Sequence, residues 1–196
     1  MMDAQQLRKR IAELDGGELT GAPSASPYWV VFPAASSRTF VYTTKPQAAG
    51  YLLGHEDSEV SMGVIGRYGL LRDEDLSGIA RILGDYAIYF LGDCDPFDLL
   101  VFAWLRQHFP IRFLGVSDAV VSALGVEVND RITIPLPEEE QLAMRLVREV
   151  WPEFAESIGP RCARLLEGNR KLELEALVSY HTDPVGNLFS LMDQSA

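Results

Sequence analysis

The stretch that most constrains the fold is residues 87–106, AIYFLGDCDPFDLLVFAWLR. Residues 87–91 form a short apolar run of the kind expected of a strand covered on both faces. Asp93 and Asp95 follow, separated by Cys94, so in an extended chain both carboxylates leave on the same side. Pro96 suits the first position of a helix, with Asp95 as its N-cap and Asp98 in the first turn. The helix predicted over 96–107 carries Leu99, Leu100, Phe102, Ala103 and Trp104 ahead of polar Arg106 and Gln107. A buried strand running straight into a capped helix is a unit of an α/β sheet. Acids at the carboxyl end of such a strand lie where open α/β sheets bind ligands.

Two readings of this turn stand side by side. In the first, Asp93 and Asp95, with Asp98 as a further donor, hold a hard cation such as magnesium, which takes carboxylates together with waters and phosphates. In the second, D-P-x-D is simply a good helix start: a capping side chain, a proline and an acid near the positive end of the dipole. Asp98 serves the helix start in either case. Asp93 precedes the cap and is not explained by it, which keeps the metal reading in play.

The whole chain sets wider bounds. Its 196 residues suffice for one domain with a sizeable core. A formal charge of −11 argues against a general nucleic-acid surface, because phosphate affinity comes from lysine and arginine. A local basic groove or a bridging metal stays compatible with that charge. Cys94 and Cys162 are the only cysteines; they lie far apart in sequence and lack ligand spacing, so neither a disulfide framework nor a zinc knuckle is indicated. A reducing cytoplasm is the expected location. No apolar run reads as a secretory leader or approaches membrane-spanning length, so a soluble protein without membrane contact is expected.

Taken in order, residues 2–14 read as an amphipathic helix with Leu7, Ile11 and Leu14 on one stripe, ending at Gly16 and Gly17. Residues 21–27 form a loop rich in Ser, Ala and Pro. Strands are predicted at 28–32 (YWVVF) and 38–43 (RTFVYT), joined as a hairpin through 33–37. Pro46 starts a helix to about residue 53, followed by a polar loop with His55, Glu56, Asp57 and Glu59. A strand at 61–65, a glycine turn around Arg67 and a helix at 73–83 lead into the central strand. After the central helix come a strand at 111–114 and a helix capped by Ser117. From Pro135 the pattern turns helical, at 137–150, 152–158, 160–167, 172–180 and 184–192. The expected architecture is an N-terminal helix and linker (1–27), an α/β core with a mostly parallel four-stranded sheet (28–134) and a helical extension packed on it (135–196).

With these pieces placed, the chain resembles the toprim domain, in the version found in the A subunit of topoisomerase VI and the meiotic double-strand-break transesterase. The family's D-x-D-P-[YF]-G motif is matched by Asp93-Cys94-Asp95-Pro96-Phe97. A segment similar to I-x-[WF]-[LI]-G-[LV]-x-x-[SD]-D follows at 111–118, and K-x-E-[IL]-[EQ]-A-L is matched by residues 171–177, KLELEAL. The likeness spans residues 38–180 in the family's order. It implies a Rossmann-like toprim fold and magnesium at Asp93 and Asp95; Lys45 and Arg67, near the expected ligand edge of the sheet, are candidate phosphate contacts.

The departures carry equal weight. Catalytic toprim domains resemble V-x-E-K at the end of their first strand. Here Thr44 stands at the usual glutamate position and only Lys45 agrees. Threonine hydrogen-bonds but brings no negative charge and is a poor general base. Asp98 takes the place of the family's glycine. Residues 1–37 are too few for the winged-helix domain that carries the attacking tyrosine in the resembling enzymes. The resemblance therefore implies a non-catalytic or weakly metal-binding subunit of a DNA-processing complex, with a protein partner supplying ATPase or winged-helix functions. Its alternatives are a standalone magnesium-dependent nuclease, one part of a split topoisomerase, or a nucleotide-binding α/β domain. The oligomeric state is not written in the sequence.

Overall fold

The computed structural model of the chain describes residues 2–20, 28–35, 37–53, 62–182 and 186–194. Outside them fall the loop expected at 21–27, the polar loop with His55, Glu56, Asp57 and Glu59, and the predicted first residues Ser61 and Pro184.

Strands β1 (Trp29–Val31), β2 (Thr39–Thr43), β3 (Gly63–Gly66), β4 (Ala87–Leu91) and β5 (Ile111–Phe113) form one sheet in the order β1-β3-β2-β4-β5. From β3 to β5 the strands run parallel; β1 lies antiparallel on β3 as an edge. The chain thus has the expected Rossmann-like α/β fold, with a fifth strand added. The predicted hairpin does not form. Both sides of β2 are occupied by parallel neighbours, β3 and β4, so β1 crosses to the free side of β3, where Trp29 pairs with Gly66. Any side chain at Gly66 would collide with the Trp29 indole.

The helices are α1 (Ala4–Leu14), α2 (Pro46–Leu53), α3 (Asp73–Leu83), α4 (Pro96–Leu105), α5 (Asp118–Ala123), α6 (Glu138–Val150), α7 (Phe154–Ile158), α8 (Pro160–Glu167), α9 (Leu174–Tyr180) and α10 (Gly186–Gln194). Of these, α4 is the axle. Every residue from Pro96 to Leu105 except Phe97 is buried, as befits a helix that is apolar all round. One face meets the sheet, with Phe102 against Phe90 at 5.6 Å, and α1 and α6 pack on the others. Truncating one of its leucines to alanine would cost about 2–5 kcal/mol.

Two short strands escape sequence reading. β6 (Thr133–Pro135) pairs antiparallel with β7 (Arg170–Leu172), so the C-terminal part is not purely helical. Leu172 also reaches the turn after β4: Cys94 N–H donates to Leu172 O at 2.9 Å, and Leu172 N–H to Cys94 O at 3.3 Å. These bonds fasten the C-terminal part to the acidic turn. Among the described residues, no helix is long and apolar enough to cross a membrane.

Candidate metal centre

The strand order fixes where a ligand can enter. From β2 the chain moves through α2 to β3 on one side, then returns through α3 to β4 on the other. Right-handed crossovers place α2 and α3 on opposite faces, which opens a crevice at the carboxyl ends of β2 and β4. Thr43 pairs with Leu91, so the two strands end level. Thr44 and Lys45 leave one end, and Gly92 and Asp93 leave the other.

The acids gather at this point. Asp93 is fully buried; its Oδ1 accepts the Leu174 N–H at 2.7 Å, and its Oδ2 faces the Lys45 ammonium at 2.5 Å. Asp95 is extended, and its Oδ1 accepts the Asp98 N–H at 2.7 Å, which makes it the N-cap of α4. Asp98 does more than face the helix dipole. Its Oδ2 accepts the Asp93 N–H at 2.6 Å and the Thr44 hydroxyl at 2.8 Å. Gly92 makes this possible, since a Cβ there would lie 2.6 Å from Asp98 Oδ2 and 2.8 Å from the Phe90 ring. One oxygen from each of Asp93, Asp95 and Asp98 lies within 4.8 Å of the others. A single ion can be shared at that spacing. The cap and metal readings of the sequence are therefore not exclusive: one oxygen of Asp95 caps, and the cluster as a whole remains.

Burial and close charged neighbours shift the protonation of Asp93, Asp98 and Lys45. Burial, then the neighbouring Asp95 carboxylate, pushes Asp93 up to about 7, against the pull of Lys45 and the Leu174 N–H. Burial first, then Asp95 and Asp93, holds Asp98 well above the ordinary carboxylate range. For Lys45, burial acts downward, but Asp93, with Asp98 and Asp95, outweighs it and keeps the ammonium charged beyond its ordinary range.

A second pair borders the cluster. Lys171 donates to Glu140 Oε1 at 2.7 Å and lies 3.8 Å from Glu173. Burial raises the Glu140 carboxyl, and the Lys171 hydrogen bond opposes it. Sequence reading missed Glu140, Lys171 and the Leu174 N–H. Only the KLELEAL match at residues 171–177 covered any of them, and it gave them no role. A cavity of about 360 Å³ is lined by Leu14, Asp15, Glu18, Leu19, Tyr68, Phe97, Glu139 and Glu140. Its walls are acidic.

The remaining candidates make contacts of their own. Arg67 is buried and its Nε donates to Leu70 O at 2.5 Å, so this hydrogen bond is directed at the turn after β3. The His108 ring lies against Trp104, tilted by 53° with the centroids 4.3 Å apart. Burial lowers its pKa. His181 lies 6.5 Å from the Tyr51 ring. Cys94 and Cys162, remote in sequence, meet in space: Cys94 Sγ lies 3.9 Å from Cys162 O, and both are free thiols. No protein-family model matches the chain, and no curated protein matches it.

Proposed function

We propose that the chain is a divergent toprim-type subunit that holds one divalent cation weakly on Asp93 and Asp95, with Asp98 as a further donor, and serves a DNA-processing assembly without cutting DNA itself. The observation that carries this reading is the acid cluster at the switch point between β2 and β4, with Thr44 hydrogen-bonded to Asp98. The donors are all hard oxygens, which suit magnesium better than a soft metal. When bound, such an ion stabilises the developing charge on a phosphate.

The chain's own residues do the rest of the work. Asp93 and Asp95 bind; the Leu174 N–H orients Asp93 through Oδ1. Thr44 donates its hydroxyl to Asp98 and has no proton-accepting power of its own near neutral pH, so it does not replace the general base that the glutamate at this position would supply. Asp15, Glu18, Glu139 and Glu140 line the neighbouring cavity and repel a phosphodiester backbone. Nucleophile and energy source then come from a protein partner. Magnesium titration by calorimetry at pH 8, on the wild type and on Asp93→Ala, tests the site. Weak heats in the wild type that vanish in the variant are expected; identical curves remove the metal assignment. Supercoiled DNA incubated with the protein and magnesium or manganese is expected to stay uncut. Nicking that Asp95→Ala abolishes would replace this reading with the nuclease one.

A further inference from the structure

We infer that Lys45 is a built-in counter-ion that keeps the site closed, so that a divalent cation enters only by displacing its ammonium toward solvent. The inference rests on the metal reading above and adds its regulation.

The donor inventory points there. Asp93 Oδ1 is taken by the Leu174 N–H. Asp98 Oδ2 is taken by the Asp93 N–H and the Thr44 hydroxyl, and Asp95 Oδ1 by the Asp98 N–H. Asp93 Oδ2 is buried and receives no well-directed hydrogen bond, yet it meets Lys45 Nζ at 2.5 Å. The oxygen of Asp93 that is free for a metal is thus the one the ammonium covers.

The lysine is placed to leave. Its side chain is 23% exposed while that of Asp93 is 0% exposed, so the ammonium approaches from the solvent side. Its backbone is anchored independently: Lys45 N–H donates to Thr43 Oγ1 at 2.9 Å, and Pro46 opens α2. The flexible four-carbon stem can swing out with no backbone change. A divalent ion brings twice the charge to the same carboxylates. Its apparent affinity is the intrinsic affinity reduced by the fraction of molecules in which Lys45 is out.

Calorimetric titration with magnesium at pH 8.5 compares the wild type with Lys45→Met and Lys45→Arg. Methionine keeps the length and packing of the stem without its charge. Lys45→Met is expected to bind magnesium at least about tenfold more tightly than the wild type, the step of one 1.4 kcal/mol increment, and Lys45→Arg to stay weak. Equal or weaker binding by Lys45→Met, alongside measurable wild-type binding that Asp93→Ala removes, overturns the counter-ion and leaves the metal reading standing. Silence from wild type and Lys45→Met alike means the metal reading has failed, and the inference with it. Should Lys45→Met not fold, the wild type answers alone. Saturating magnesium must move the Lys45 Nζ resonance to that of a solvated lysine, and an unmoved resonance overturns the inference.

Discussion

The ends of neighbouring strands β4 and β5 follow the same local grammar and reach opposite electrostatic outcomes. Each strand runs into a helix through an acidic turn capped by its own residue, Asp95 for α4 and Ser117 for α5. At the β4 end three carboxylates share one ammonium, and Asp93 and Asp98 are pushed upward. At the β5 end one carboxylate, Asp118, accepts the Arg161 and Cys162 N–H groups, each at 2.9 Å, with the Arg161 guanidinium 3.5 Å away. Burial acts upward on Asp118, but those donors win and its pKa falls. Gly159 caps α8 with no side chain of its own, so Asp118 supplies that cap from across the fold. A carboxylate saturated by backbone donors holds structure together. A set with more charge than donors is one that could hold a cation.

The largest effect should come from Gly159→Ala. Gly159 sits at φ +86°, and a Cβ there would lie 2.6 Å from Asp118 Cβ. Strain and overpacking together predict a loss of about 3 kcal/mol in urea denaturation. Magnesium binding at the β4 end should not change. A parallel loss of binding would show the two ends to be one coupled unit and break the comparison.

Asp118→Ala comes next, at about 1–2 kcal/mol for the lost cap. Its pH dependence carries the sign. The folded pKa lies below the unfolded value, so the contribution is present above about pH 4 and disappears as pH falls through the folded pKa. Denaturation curves of variant and wild type should therefore converge in acid.

At the β4 end the sign reverses. Asp93 titrates near 7 when folded and near 4 when unfolded. Its contribution is full below about pH 4 and is lost as pH rises through 7; Asp98 acts in the same direction. Wild-type stability without metal should decline over that window. Asp98→Asn keeps an acceptor for Thr44 and the Asp93 N–H but removes a charge. It should match the wild type near pH 4 and exceed it by about 1 kcal/mol at pH 8. An unchanged slope would mean the cluster is better solvated than its burial indicates.

These contrasts also mark what the sequence could reveal. The β4 strand, the Pro96 helix start and both local caps were legible, because each depends on residues within one turn of each other. The role of Asp118 was not, since its partners lie on α8 and only folding brings them near. The β6–β7 ladder is three residues a side with no alternation to betray it. The hairpin prediction failed because adjacency in sequence says nothing about competition for the edges of β2. Lys45 was legible as a cation beside the site; that it already faces Asp93 was not.

The smallest stability change sharpens the comparison most. Asparagine is as good an N-cap as aspartate, so Asp95→Asn should keep the bond to the Asp98 N–H. It also removes the charge that raises both Asp93 and Asp98. Retained capping and relieved repulsion leave the stability at pH 7 within about 0.5 kcal/mol of the wild type, on the favourable side. Magnesium heats should fall sharply, and the Asp93 carboxyl, followed by NMR titration, should move down from about 7. If Asp95 were only a cap, the variant would bind whatever the wild type binds; losing the ion while keeping the helix separates the two roles within one side chain.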